Sequence, residues 1–257
     1  MDIYQHFNKE EHRFVDKILE QIVWVVDHHS PKLLNFMTPR EQEITASLVR
    51  RESSIFVIFS GATSEAERKR ALIVPDYYQE NNDDFSLTAL RLTYSTKFAT
   101  ISHQNVLGTL MSLGIRREKF GDIYLQAGQI DMIVASEIAD YITQHLDKIN
   151  KAAVKVTSIP LNDVDPPTEE WAEKRITVSS LRLDAVVAEI ARISRQKAQF
   201  MIEQGKVQIN WKLTQIRSLE VKEDDLLSIR GIGRVRVLAV AGQSKKQKWR
   251  VVLGIAQ

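Results

Sequence analysis

Apolar positions in the first part of the chain change period several times, and each change marks an element. Phe14, Val15, Ile18, Ile22 and Val25 recur at about 3.6 residues and predict a helix over 8–29, limited by Pro31. Thr38, Pro39 and Glu41 have the form of an N-cap, a first-turn proline and a capping box, so a second helix is expected to start there. The β-branched and aromatic run from Ser54 to Phe59 predicts a buried strand. Ser64 and Glu67 repeat the capping-box spacing and predict a short helix carrying Arg68, Lys69 and Arg70. Leu72 to Val74, ended by Pro75, predicts a further strand.

From Ser86 the pattern becomes strand, helix, strand, strand, helix, strand. Ser86 to Tyr94 alternates like a half-buried strand, and Val106 to Leu113 is apolar at helical spacing. Asp122 to Gln126 and Ile130 to Ala135 flank the hairpin signal Ala127-Gly128-Gln129. Ser136 to Ile149 predicts a helix and Ala153 to Ile159 a closing strand. That order is the split βαβ arrangement, a ferredoxin-like βαββαβ plait. Leu161 to Glu173 has adjacent prolines, several acids and no sustained period, the composition of an interdomain linker.

Beyond it, Leu183, Val186, Val187 and Ile190 form one apolar stripe, and Ala198, Met201 and Ile202 a second behind the cap Ser194. Gly205 sits where a left-handed helix end favours glycine, leading into a strand from Lys206 to Asn210. Two short helices are therefore expected, with Arg182, Arg192, Arg195, Lys197 and Lys206 left outside the apolar stripes. A basic rim of that kind suits structured RNA read through its phosphates. Asp184 reads as a first-turn acid or internal salt-bridge partner, Asn210 as a turn residue, and Trp211 as packing or a stacking platform. Lys212, Arg230, Arg234 and Arg236, then Lys245, Lys246 and Lys248, are candidates to extend the track.

Charge supports this division. The 257 residues carry a net +2, but from Val178 onward there are 15 Lys and Arg against 7 Asp and Glu, leaving an acidic remainder. That asymmetry outlines a nucleic-acid-binding module joined to something else, although a solvated basic surface gives the same totals. The absence of cysteine excludes disulfides, thiolate metal sites and cysteine nucleophiles. The first residues carry acids and no apolar core of a leader, and no apolar run approaches the ~20 residues of a membrane span, so a cytoplasmic chain is expected.

The motifs RLD at Arg182, SR-x-x-A at Ser194 and I-x-x-G-x-V at Ile202, with the following Asn210, occur in order at the spacing of the S4 RNA-binding domain. That resemblance implies two helices packed on a small bent antiparallel sheet of the αL type, with further strands at Gln215 to Val221 and Leu226 to Arg230 and a turn at Gly231 and Gly233. Upstream, Gly61-Ala62 with the AERKR run and Pro75, then His103, Val106-Leu107-Gly108, Leu113-Gly114-Ile115-Arg116-Arg117 and Gly121-Asp122-Ile123, resemble the YlmH family of bacterial ribosome-associated proteins. Gln104-Asn105 stand where that family usually has Arg-Asp. The resemblance implies rRNA and tRNA as ligands, the large ribosomal subunit, stalled and bearing tRNA, as partner, and a role in ribosome-associated quality control; the chain is expected to be a monomer. The expected architecture is α+β: an N-terminal α/β subdomain over 1–75, the plait over 76–160, a linker over 161–177 and the S4 domain over 178–257.

Arg68, Lys69, Arg70, His103, Arg116 and Arg117 are candidates for a second RNA or ribosome contact, with a solvated helix face as the competing reading of the AERKR run. An RNA-modifying enzyme with its site near Arg68, His103 and Arg116 is the alternative function. Against it, the chain has no G-x-G-x-x-G, no phosphate-binding P-loop and no H-E-x-x-H, and His28-His29 point to different helix faces. No catalytic residue, metal or cofactor is expected. The strand Ile130 to Ala135 lacks the aromatics of an RNA-recognition motif, so base stacking on the plait is not expected either.

Overall fold

The computed structural model describes residues 3–97, 100–167, 171–244 and 246–256, so Lys245 and residues 168–170 of the expected linker lie outside the described residues. The chain divides into two compact units, Met1–Pro167 and Thr168–Gln257.

In the first unit, helix α1 (His12–His28) buries Val15, Ile18, Ile22 and Val25 and ends at His29, whose φ of 51° is left-handed. Strand β1 (Lys32–Met37) follows, then α2 (Pro39–Val49), where Thr38 and Glu41 close the expected capping box. Strands β2 (Ile55–Ser60) and β3 (Lys69–Pro75) complete an antiparallel sheet in the order β1-β3-β2. The short helix expected after Ser64 does not form. The backbone amides of Glu67 and Arg68 donate to the Asp122 carboxylate instead of closing a helical turn. Gly61 lets the loop fold back tightly, since a Cβ there would lie 2.5 Å from Ala66 Cβ. Lys69 and Arg70 then belong to β3, drawn in by the apolar run that follows them.

The plait comprises β4 (Leu87–Tyr94), α3 (His103–Ser112), β5 (Phe120–Gln126), β6 (Gln129–Ala135), α4 (Ser136–His145), β7 (Lys148–Ile149) and β8 (Ala152–Ile159). Its sheet runs β5-β6-β4-β8-β7, all antiparallel, with β4 between β6 and β8 as a ferredoxin-like plait requires. The second helix is shorter than its apolar spacing predicts: Ile149 pairs with Ala152 in a hairpin turned at Asn150, whose φ is 53°. One sheet face packs Leu90, Leu92, Ile130 and Met132 under both helices. The other places Ala89, Ile133 and Ala135 against Phe36 and Val164. Gly121 admits the Phe36 ring, which a Cβ would approach to 2.7 Å.

The second unit comprises β9 (Trp171–Val178), α5 (Leu183–Ala191), α6 (Arg195–Glu203), β10 (Val207–Ile209), β11 (Lys212–Leu213), β12 (Leu226–Ile229), β13 (Gly233–Gln243) and β14 (Trp249–Ala256). Its antiparallel sheet runs β11-β10-β12-β13-β14-β9. The segment expected as a linker is structured at both ends. Leu161 and Val164 pack on the plait, Asp163 O accepts from Arg91 at 2.9 Å, and β9 pairs along β14. The strand expected at Gln215 to Val221 is absent apart from an isolated Arg182–Glu220 bridge. There, Leu219 O and Arg217 O accept from the amides of Leu183 and Asp184 in the first turn of α5, so the segment serves a helix end. Gly231 and Gly233 make the β12–β13 turn with φ of 89° and 110°.

Candidate nucleic-acid interface

The centre of the basic rim is a buried acid. Asp184, in the first turn of α5, is 0% exposed. Its Oδ1 accepts from Arg182 Nε at 3.2 Å and Arg195 Nη2 at 3.0 Å, and its Oδ2 from Arg182 Nη2 at 3.1 Å and Gln199 Nε2 at 2.8 Å. Burial opposes its charge, but these donors outweigh burial and hold the carboxyl well below the usual carboxylate range. Arg195 reaches it because Ser194 caps α6, accepting from Lys197 N at 3.3 Å. The Arg182 and Arg195 side chains remain 42% and 46% exposed. Each guanidinium has five donors, so both keep N–H groups beyond those directed at Asp184. The internal salt-bridge reading of Asp184 therefore holds, and its effect is to fix two arginines at one end of α5 and α6. Gln199, one turn beyond Arg195 on the same helix side, was not a candidate from sequence, although its i, i+4 spacing from Arg195 marks it.

Lys197 and Arg192 are exposed, Arg192 at the left-handed end of α5. Lys206 is half-buried and its carbonyl accepts from the Arg230 amide at 3.0 Å, which brings those residues together at the α6–β10 turn. Lys212 is half-buried in β11. Asn210 and Trp211, with φ of 49° and 61°, form the hairpin turn between β10 and β11. The Asn210 side chain is fixed by Asp225 and the Leu226 amide. The track does not extend as a single face. Val235 and Val237 join the core under α5 and α6, so Arg234 and Arg236 point to the other side of the sheet.

The front candidates differ in kind. Arg70 is 4% exposed, donating to Leu34 O at 2.9 Å and to Phe85 O and Ser86 O at 3.1 Å. Arg68 donates to Phe36 O at 3.3 Å and Arg117 O at 3.5 Å, and burial pulls its pKa down. Both therefore spend donors on protein carbonyls, Arg70 from a buried position and Arg68 from a half-buried one, which withdraws Arg70 from solvent. Asp122, which anchors the same loop, is pushed up by burial despite its two amide donors. Arg117 donates to Phe120 O at 2.7 Å and lies over the Phe120 ring at 4.5 Å. Arg116 is exposed and paired with Glu118 at 3.1 Å, Lys69 is half-buried, and His103 is exposed at the start of α3. Asn105 closes the α3 capping box, its Oδ1 accepting from Ser102 N at 3.0 Å, so the amide retains a capping role without the charge of an aspartate. Among the described residues no group of His, Asp or Glu is disposed to hold a metal ion, and no helix is long and apolar enough to cross a membrane.

Comparison with known proteins matches the S4 domain to residues 181–227 and the domain described as "Putative RNA-binding domain in YlmH" to residues 80–163. The chain is 42% identical over 250 residues to "Ribosome-associated protein quality control protein P2" of Bacillus subtilis (strain 168), covering 97% of each chain. This chain belongs to the YlmH family. Among YlmH structures, "Cell division protein ylmH from Streptococcus pneumoniae" is 31% identical, with a TM-score of 0.55, covering 63% of this chain and 99% of that one. The matched S4 segment contains the Asp184 cluster, and the matched YlmH segment contains the plait from β4 to β8. The chain is thus an α+β, S4-bearing RNA-binding protein of the YlmH family.

Proposed function

We propose that this chain is a non-catalytic protein that holds structured rRNA and tRNA on the large ribosomal subunit during quality control of stalled subunits. The observation carrying this reading is the Asp184 cluster: one buried carboxylate orders two half-exposed guanidiniums beside the exposed Lys197. An arginine fixed before binding loses less conformational entropy on meeting a phosphate than a free one, for which ordering costs up to ~2 kcal/mol. The name of the Bacillus subtilis relative supports the ribosomal setting. For the RNA-modifying alternative, Arg68 is already engaged by carbonyl groups and offers a reacting group little.

With about 4–6 phosphates contacted, log K should fall against log salt with a slope of roughly −3 to −5. Filter binding of rRNA over a salt series measures it, and a flat response would end this reading. Mass spectrometry of rRNA and tRNA from a deletion strain tests the alternative. A modified nucleotide lost on deletion and not restored by His103→Ala would favour the enzyme.

A further inference from the structure

Strand alternation divides the second unit's sheet into two faces of different chemistry. Ile176, Val178, Val235, Val237, Val251 and Leu253 face α5 and α6. The register places Arg234 and Arg236 of β13, Arg250 of β14, and Glu173 and Arg175 of β9 on the opposite face. These are the charged side chains of β12, β13, β14 and β9 turned that way, four cations with one acid. The Arg175 side chain is 80% exposed and Arg250 is exposed; the two sit diagonally, since Val252 pairs with Arg175 and Arg250 with Thr177. Glu173 approaches Arg175 only to 3.8 Å, an exposed pair of small worth.

Arg236 is positioned differently. Gly254 leaves room for Trp171, whose Cβ would be 2.8 Å from any Cβ at that site. The Arg236 guanidinium lies over the Trp171 ring at 5.1 Å, and its buried Nε has no hydrogen-bond partner. A planar cation laid on an aromatic ring presents its remaining N–H edge in a fixed direction.

We propose that this face is a second RNA-backbone site, in which Arg250 and Arg175 meet phosphates and the Trp171-backed Arg236, two residues farther along the register, orients the strand as it runs on past Arg175. The proposal rests on the RNA-binding reading of the chain. Cations of one sign gathered on a face repel one another, and a polyanion relieves that repulsion by releasing its own counterions. RNA is the polyanion the same unit engages through its helices, so the S4 unit would be held between two RNA segments.

The test uses the full chain and a fluorescein-labelled RNA stem-loop. Arg175→Ala with Arg250→Ala should weaken binding at low salt by about 3–10-fold and reduce the salt slope by about 1–2, with an unchanged unfolding midpoint. The same fold loss should recur in an Arg195→Ala, Lys197→Ala background, because separate faces contribute independently. An unchanged slope in the sheet-face variant, while the helix-face variant loses affinity, overturns the second site and leaves the proposed function standing. Salt-insensitive binding by the wild-type chain overturns both. Polyglutamate captured through Arg175 and Arg250 while RNA affinity stays unaffected reassigns the face to acidic protein and also overturns the proposal.

Discussion

Two arginine clusters that look alike in sequence do opposite things. In the AERKR run, Arg68 and Arg70 turn inward and bind backbone carbonyls from distant segments. Around Ser194, Arg182 and Arg195 meet a buried acid that orders them while leaving them partly in solvent. The difference lies in what lies behind the guanidinium. Carbonyl groups of Leu34, Phe85 and Ser86, with the Glu137 carboxylate at 3.6 Å, enclose a buried Arg70, whereas Asp184 holds one edge of each S4 arginine and leaves both side chains partly in solvent. A count of cations therefore says little about an RNA face until their partners are known.

The most severe way to break this contrast is Arg70→Ala. It leaves carbonyls buried without donors and should cost about 3 kcal/mol of stability, read as a lowered urea midpoint, with RNA affinity of the folded fraction unchanged. Next, Asp184→Asn should lower stability by about 2 kcal/mol at neutral pH. Because the folded-state pKa of Asp184 is depressed, its contribution is complete above the unfolded value near ~3.9 and is lost as pH falls through the lower folded value. The stability gap between wild type and Asp184→Asn should thus be constant above about pH 5 and close under stronger acid, measured by urea unfolding across pH. Arg195→Ala with Lys197→Ala should weaken RNA binding by about 1–3 kcal/mol in filter binding while the chain still folds. The smallest effect belongs to Arg116→Ala: its exposed pair with Glu118 should change stability by less than about 0.5 kcal/mol in thermal unfolding.

What could be read in advance was written locally. The Thr38–Glu41 box, the Ser194 cap, the plait order and the glycine turn after β12 depend on neighbours within a few residues. What could not be read depends on distant partners. The loop after Ser64 follows Asp122, which lies more than fifty residues on, and the segment at Gln215 to Val221 follows the open amides of α5. Strand β1 carries no clean alternation, KLLNFM, and forms because β3 pairs with it. The solvent-facing positions of Arg182, Arg195 and Lys197 were legible beside the apolar stripes. The side taken by Arg234 was not, because it depends on strand register.

On the proposed function, the S4 cations gathered at Asp184 and the start of α6 hold ribosomal RNA. Co-sedimentation with purified large subunits tests it most directly, comparing the wild-type chain with Arg195→Ala, Lys197→Ala at one salt concentration. The wild-type chain is expected in the subunit pellet and the folded double variant largely in the supernatant. Equal pelleting of the two would contradict it.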